Sequence, residues 1–171
     1  MTRINCGIPP YFLADWHLTA EINEIPEVFR RAKYRVVQNI ELKDVPKRFT
    51  LGTGHVLFFI DKLWYVHHRW LTLFIEASYR NLPKSALDKC TIQEGLSNVQ
   101  YLQIFKKEWF NNYIPLEHDI RLISTRIVSR INESDKLPYY YGERISKRVM
   151  IDKLRIFAEP YGEHENQLSL F

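Results

Sequence analysis

The sequence has few of the residues that define specialised classes of small protein. Its 171 residues include only two cysteines, Cys6 and Cys90, which are too few for a disulfide framework and are not spaced as a CxxC pair. We expect both to be reduced thiols of a cytoplasmic protein. The longest apolar run, VLFFI, is too short to cross a bilayer. No basic stretch followed by an apolar run opens the chain, so we expect no signal peptide and no membrane association.

The composition is that of an ordinary globular chain. Hydrophobic residues make up 46% and charged residues 26% of the sequence, which excludes intrinsic disorder as the dominant state. The length fits one compact domain with a single core. The net charge of +4 is compatible with a polyanionic partner such as DNA without requiring one.

Hydrophobic periodicity predicts three main helices joined by long loops, and the fold class is therefore mainly α. They run from about Tyr11 to Tyr34 with a kink at Pro26, from about Asp61 to Arg80, and from about Leu116 to Asn132 after a first-turn Pro115. Their expected core residues are Leu18, Ile22, Ile25 and Phe29; Leu63, Val66, Trp70, Leu71, Phe74 and Ile75; and Ile120, Ile123, Ile127 and Ile131.

Two shorter stretches give weaker signals. Residues 99–109 indicate a further helix, and residues 50–59 indicate a tight turn that leads into the apolar run VLFF. That run is the one candidate strand of the sequence. A glycine pair, Gly52 and Gly54, also resembles a phosphate-binding turn, but a GxG on its own is weak evidence.

One face of the first helix carries an imidazole and two carboxylates. At 100° per residue, His17, Glu21 and Glu24 fall in one sector, away from the apolar stripe. From this helix alone, a solvated helix side with a His–Glu contact is the simpler interpretation. A metal site is a poor alternative because the cysteines lie elsewhere and no HExxH spacing exists.

The carboxyl-terminal half combines cations with aromatic residues. Arg126 and Arg130 share a face of the third helix and could grip phosphates, or could simply form a solvated side. Three adjacent tyrosines, Tyr139, Tyr140 and Tyr141, precede further cations. This pattern suits stacking on bases beside a phosphate backbone, and aromatic packing within a loop is the alternative.

Taken together, these segments resemble one family, the pyrimidine-dimer DNA glycosylases with AP-lyase activity typified by phage endonuclease V. The motifs that carry the resemblance are TRIN, LADWHLTAEINEIPEVF, LGTGHVLFFIDKL, NNYIPLEHDI and YYYG, in the order of the family and across most of residues 2–142. As a set they are specific. The resemblance implies a compact, mainly helical domain whose N-terminal segment threads between the helices.

The resemblance also implies the catalytic residues. The nucleophile is the α-amine of Thr2, once Met1 has been removed, and the catalytic carboxylate is that of Glu24. The amine would form a Schiff base with C1′ of a damaged pyrimidine nucleotide, and β-elimination would then cut the strand. No metal or organic cofactor is implied.

The implied partner is damaged double-stranded DNA, most of all DNA with UV-induced cyclobutane dimers, bound by a monomer at the nucleoid of a bacterial or phage-infected cell. Arg3 would position the DNA. The other expected DNA-contacting residues are Trp16, His17, Asn23, Arg126, Arg130, Tyr139, Tyr140 and Tyr141.

Several positions depart from the phage member of the family. Asn23 and Glu27 stand where it has arginines, and Trp16 replaces a glutamine. In the aromatic loop Leu137 replaces a tryptophan and Tyr139 a lysine. These changes bear on lesion recognition more than on the nucleophile. The alternatives are therefore a glycosylase for another modified base and a non-catalytic DNA-binding module.

The chain finishes with a second motif. Gln167, Leu168, Ser169, Leu170 and Phe171 resemble the pentapeptide by which bacterial proteins dock on the replicative sliding clamp, and a coincidental apolar terminus is the alternative. We expect residues 1–150 to form the glycosylase-like domain and residues 151–171 a C-terminal extension that presents this peptide.

Overall fold

The computed structural model describes residues 4–52, 54–83 and 103–158. Within these ranges the chain is mainly helical, which confirms the fold class, and none of its helices is long and apolar enough to cross a membrane. The elements are α1 (Asp15–Val37), α2 (Gly54–Phe59), α3 (Leu63–Tyr79), α4 (Glu117–Glu133) and α5 (Lys147–Ala158), with strands β1 (Tyr139–Tyr140) and β2 (Glu143–Arg144) and single 3-10 turns at Pro10–Phe12 and Lys107–Trp109.

The described chain divides into two compact units. The first unit contains Ile4 and the described residues of Leu18–Tyr113, and the second contains Asn5–His17 together with the described residues from Ile114 onward. The N-terminal segment therefore contributes to both units, because Ile4 belongs to the first unit and the next residue, Asn5, belongs to the second.

Helix α1 supplies one side of the core of the first unit. Its predicted stripe of Leu18, Ile22, Ile25 and Phe29 is fully buried, as expected. The helix begins at Asp15, later than predicted, because residues 10–12 form a separate 3-10 turn. It continues through Pro26 to Val37.

Left-handed Asn39 ends this helix. Its φ is +53°, and the N–H of Ile40 donates to the carbonyl of Arg35 at 2.9 Å. The guanidinium of Arg35 also donates to both carboxylate oxygens of Asp44, and this hydrogen bonding lowers the pKa of the Asp44 carboxyl below its ordinary value of 3.8.

Helix α3 confirms the second predicted helix but not all of its core. Leu63, Val66 and Trp70 are buried, whereas Leu71 is 39% and Ile75 is 67% exposed. The prediction of these last two as core residues was wrong. The buried stripe continues instead at position 73, three residues after Trp70, and at position 77, four residues further on. Positions 71 and 75 lie beside that stripe.

The apolar run after the glycine pair is helical. It forms α2, so its interpretation as a strand was wrong. The turn before it was correct: Gly52 has a φ of +76°, and the N–H of His55 donates to the Gly52 carbonyl at 3.3 Å. Four apolar residues in a row, VLFF, are as compatible with a short buried helix as with a strand, and periodicity cannot separate the two at this length.

Helix α4 belongs to the second unit, where it packs against α5. Its predicted stripe of Ile120, Ile123, Ile127 and Ile131 is buried. Pro115 lies outside the helix rather than in its first turn, because the carboxylate of Asp119 accepts from the N–H of Leu116 at 2.9 Å and fixes the helix start there.

The remaining sequence expectations have mixed outcomes. Residues 99–102 lie outside the described part of the chain, and the described remainder of the expected helix over 99–109 forms only the 3-10 turn Lys107–Trp109. The tyrosine loop is a hairpin, with β1 and β2 antiparallel and Tyr140 opposite Glu143. Helix α5 was not anticipated, and it spans residue 150, where the C-terminal extension was expected to begin.

Candidate active site and nucleic-acid interface

The chain enters the protein interior directly after Arg3. Ile4, Cys6 and Ile8 are fully buried and Asn5 is 4% exposed. Thr2 and Arg3, the expected nucleophile and its neighbour, lie outside the described residues. What the structure gives is the anchor that follows them: the N–H of Ile4 donates to Nε2 of His55 at 2.8 Å.

The ring of His55 is itself fixed in orientation. It is 2% exposed, and its Nδ1 lies 3.1 Å from the carbonyl oxygen of Thr50. A carbonyl can only accept, so Nδ1 carries the proton and Nε2 offers its lone pair to Ile4. Phe49 and Phe59 each contact the ring at a centroid distance of 5.4 Å.

The two carboxylates of α1 have different environments, although the sequence placed them on one face. Glu21 is 1% exposed and receives two hydrogen bonds from Arg69, Nε to Oε1 at 2.8 Å and Nη2 to Oε2 at 2.9 Å. Its interpretation as part of a solvated side was wrong, because α3 brings a guanidinium to it. Glu24, one turn along, is half-buried. A partly accessible carboxylate is the one of the two that a substrate could reach.

The departures from the family pattern on α1 also have defined partners. The exposed side chain of Asn23 donates to the Thr19 carbonyl at 2.8 Å. The carboxylate of Glu27 contacts two guanidinium groups, those of Arg30 and Arg31, the latter at 2.7 Å. The negative charge that replaces an arginine is therefore compensated locally.

In the second unit, Trp16 and His17 form a pair. The indole Nε1–H donates to Nδ1 of His17 at 2.9 Å, and the rings meet edge to face. Since Nδ1 accepts here, the neutral ring carries its proton on Nε2, the opposite tautomer to that of His55.

The tyrosine hairpin is attached to the start of α1 by a carboxylate. The N–H groups of Tyr141 and Gly142 donate to Asp15 at 3.2 and 2.9 Å, and both residues have positive φ, +54° and +77°. Two positive φ values in a row match a tight hairpin turn. The hydroxyl of Tyr140 donates to the Tyr11 carbonyl at 2.9 Å. Backbone and side-chain contacts therefore hold the hairpin, which sequence reasoning took for a loop.

A groove of about 380 Å³ opens beside this hairpin. Trp16 and Tyr139 contribute aromatic surface, and Arg144 lies over the Tyr139 ring at 5.6 Å. The other lining residues are Asp135, Lys136 and Leu137. Tyr139 is 45% exposed, so an aromatic face with cations around it is accessible from solvent. Such a surface suits stacking of a nucleobase next to its phosphate.

The two arginines of α4 are not equivalent. Arg126 is half-buried, and its Nη2 donates to the side-chain oxygen of Asn5. Arg130 has a side chain that is 51% exposed, 4.0 Å from Glu133. The first arginine holds the N-terminal segment within the second unit, and the second is the more accessible from solvent.

Sequence reasoning missed three residues with defined contacts, two in the first unit and one in the second. His55 was read only as part of a motif, and Asp15 and Arg69 were not singled out. The signal for Asp15 was present, because an acid at a helix start is a typical cap. The partners of His55 and Arg69 lie 51 and 48 residues away, beyond the reach of any local pattern. The described residues hold no group of three or more His, Cys, Asp or Glu side chains that could bind a metal ion.

One protein-family model matches the N-terminal half of the chain. The family model for pyrimidine dimer DNA glycosylase matches residues 1–89. The match includes the N-terminal segment, α1 and the α2–α3 pair, which together carry Ile4, Glu24 and His55.

Proposed function

The chain belongs to the pyrimidine dimer DNA glycosylase family, and on that premise we propose that it is a bifunctional enzyme. It removes a damaged pyrimidine from double-stranded DNA, with UV-induced cyclobutane dimers as the main substrate, and it then cleaves the strand at the abasic site. Reaching C1′ of a nucleotide within a duplex requires local extrusion, which costs least where a lesion has already weakened pairing.

The nucleophile in this proposal is the α-amine of Thr2, released when Met1 is removed. An α-amine has an ordinary pKa of about 7.7–8.0, against about 10.4 for a lysine, so a sizeable fraction is unprotonated near neutral pH. The free amine attacks C1′, the bond to the base breaks, and an imine forms between protein and sugar. The imine acidifies C2′–H, and loss of that proton expels the 3′ phosphate by β-elimination.

Glu24 is the acidic partner of that amine. Its carboxylate can stabilise the cationic imine and can accept and return a proton during the elimination. It is half-buried on α1, and it belongs to the same compact unit as Ile4. Glu21, by contrast, is committed to Arg69 and cannot take this role without breaking a buried ion pair.

The single observation that carries the proposal is the anchoring of the chain at Ile4. A residue that is fully buried, with its amide bound to His55, fixes the backbone two residues after the proposed nucleophile. Covalent geometry then keeps the Thr2 nitrogen within roughly 7 Å of the Ile4 nitrogen. Burial of the chain from Ile4 onward supports a catalytic role for the nearby terminal amine better than a role as a surface tail.

The DNA is bound, in this proposal, by residues that contact bases and phosphates separately. Arg3 and Arg130 contact phosphates of the DNA backbone, and a base stacks in the exposed aromatic groove with Trp16 and Tyr139. The other members of this set are His17, Asn23, Arg126, Tyr140 and Tyr141. Of these, Arg126 acts through Asn5 in the described arrangement, so its contribution is to hold the N-terminal segment.

Borohydride trapping tests the function. Wild-type protein incubated with an abasic duplex and sodium borohydride should give a covalent adduct attached at the Thr2 nitrogen, identified by peptide mass spectrometry. Glu24→Gln should lower the rate by about 10²–10⁴-fold, the usual contribution of a general acid or base. Glu41→Gln, which removes a carboxylate from an exposed loop position, is the matched control and should keep the wild-type rate.

The substrate arms separate the alternatives. Adducts on UV-irradiated DNA support the dimer substrate, while adducts only on oxidised or hydroxymethylated DNA support another base. No adduct on any lesion, or Met1 still attached in active protein, would contradict the proposed chemistry and favour a non-catalytic DNA-binding module.

We also propose a protein partner, the bacterial sliding clamp, for the last five residues. Residues 167–171 lie outside the described part of the chain, so the support is the sequence itself: QLSLF offers one glutamine and three apolar side chains after the acidic stretch GEHEN. Recruitment to replicating DNA would follow.

A further inference from the structure

We propose that His55 is a positioning residue for the N-terminal amine, an inference that rests on the function proposed above. Its Nε2 accepts the hydrogen bond from the Ile4 amide at 2.8 Å, only two residues from Thr2. His55 does not touch substrate in this role. It acts through the backbone of the segment that carries the nucleophile.

The geometry suits an anchor because the ring is held by contacts other than the one it makes to Ile4. Nδ1 lies 3.1 Å from the Thr50 carbonyl, and Phe49 and Phe59 contact the ring edge to face at 5.4 Å. These contacts fix both the orientation and the tautomer. The ring therefore offers a preformed acceptor at one place in the first unit, and the N-terminal segment has only to dock against it.

The surroundings of the ring make this acceptor rigid. Phe59 also contacts Phe58 and Tyr113, with ring centroids 5.0 and 5.9 Å apart, and stacks on Tyr65 at 5.8 Å. Packed aromatic residues of this kind have few alternative rotamers. Displacement of His55 would require movement of this cluster, so the position of Ile4 is fixed by the core of the unit.

Positional accuracy is what such an anchor supplies to the reaction. The Thr2 nitrogen can lie no further than roughly 7 Å from that of Ile4, so fixing Ile4 confines the nucleophile to a small volume. Attack on C1′ needs the reacting atoms at about 3–3.5 Å with correct alignment. Loss of the anchor should therefore slow imine formation even when the protein is folded and the DNA is bound.

A purely structural role for His55 predicts a different result. In that case the hydrogen bond stabilises the unit, and its loss lowers the melting temperature without changing the rate of the folded, DNA-bound protein. The comparison therefore needs a rate measured at saturating DNA, well below the melting temperature of each variant.

Three variants make this comparison. His55→Phe keeps an aromatic ring in the cluster and offers Ile4 no acceptor. His55→Gln retains a side-chain oxygen that can accept from the Ile4 amide. Leu73→Ala removes buried apolar contacts from α3 in the same unit and serves as the control for lost stability.

In single-turnover borohydride trapping on a saturating abasic duplex, His55→Phe should be slower than wild type by about 10²-fold, the cost of a misplacement of about 1 Å. His55→Gln should recover most of the rate. Leu73→Ala should melt earlier than wild type but trap at the wild-type rate, and the DNA dissociation constant should be unchanged in all three.

The outcomes distinguish this inference from the proposed function. No adduct with wild-type protein would count against the proposed function itself. An adduct that forms at the wild-type rate in His55→Phe would overturn the positioning role alone. Should His55→Phe fail to fold, His55→Asn replaces it, since its shorter side chain withdraws the acceptor, and a wild-type rate in that variant would overturn the role in the same way.

Discussion

Glu27 is a single residue whose charge bears on how strongly the protein holds DNA. It stands where the phage member of the family has an arginine, and its carboxylate pairs with Arg30 and Arg31, whose side chains are 56% and 54% exposed. A carboxylate near a phosphate is repulsive, and here it also occupies two cations that could otherwise contact the DNA backbone. We therefore expect this residue to limit the electrostatic part of the affinity for DNA.

Glu27→Gln should strengthen DNA binding and make it more sensitive to salt. Removal of the carboxylate releases both guanidinium groups, and each new phosphate contact adds about −0.9 to the slope of log K against log salt concentration. Fluorescence anisotropy on an undamaged duplex at several salt concentrations measures this slope. Glu41→Gln makes the same change of charge on a loop, and an equal slope in the two variants would contradict a local effect of Glu27.

At the scale of elements, α1 and α3 are joined by the buried pair of Glu21 and Arg69. The side chains of Glu21 and Arg69 are 0% and 7% exposed, and the guanidinium group donates two hydrogen bonds to the carboxylate. Removal of one member leaves the other charge buried without its counter-ion, whereas removal of both leaves a cavity that apolar side chains can fill.

Glu21→Leu and Arg69→Met should therefore be strongly non-additive. Each single substitution should lower the free energy of unfolding by about 3–5 kcal/mol, and the double variant should lose much less than the sum. Urea denaturation of the four proteins of the cycle measures the coupling. Additive losses would show that the two side chains are stabilised mainly by other contacts.

Sequence periodicity predicted the long elements well and the short ones poorly. The stripes of α1 and α4 agree with the structure because four apolar residues at spacings of three and four identify a helix face. Leu71 and Ile75 were wrongly predicted to be buried, because apolar residues occur on both sides of the α3 stripe. The sequence of the helix alone therefore does not identify which of its apolar residues face the core. The run in α2 and the hairpin at Tyr139–Arg144 are too short for periodicity to decide between helix, strand and loop.

At the scale of the whole molecule, the sequence identified the family but not the contacts that support its site. The motif residues Glu24 and His55 were both visible in the sequence, and the family match covers both. The hydrogen bond from Ile4 to His55 and the burial of Glu21 were not predictable, because they depend on which side chains the tertiary fold brings together across about fifty residues.

The proposed clamp peptide gives a prediction that concerns the chain as a whole. Deletion of residues 167–171 should abolish retention on immobilised sliding clamp, because it removes the glutamine and all three apolar side chains of the peptide, while trapping on short abasic duplexes should stay at the wild-type rate. A matched control replaces residues 162–166 with a Gly/Ser linker and leaves QLSLF intact. Equal clamp retention by the deletion and by the full chain would contradict the proposal.

The conformation of Tyr141 has a consequence for what the hairpin is for. With a φ of +54° the residue occupies a region that favours Gly or Asn, and a bulky side chain there costs about 1–2 kcal/mol. Asp15 offsets part of that cost, because its carboxylate accepts hydrogen bonds from the two backbone N–H groups of the turn. A turn selected for stability alone would read Asn-Gly, so we expect the aromatic ring at its tip, 39% exposed, to serve binding outside the protein interior rather than the stability of the fold.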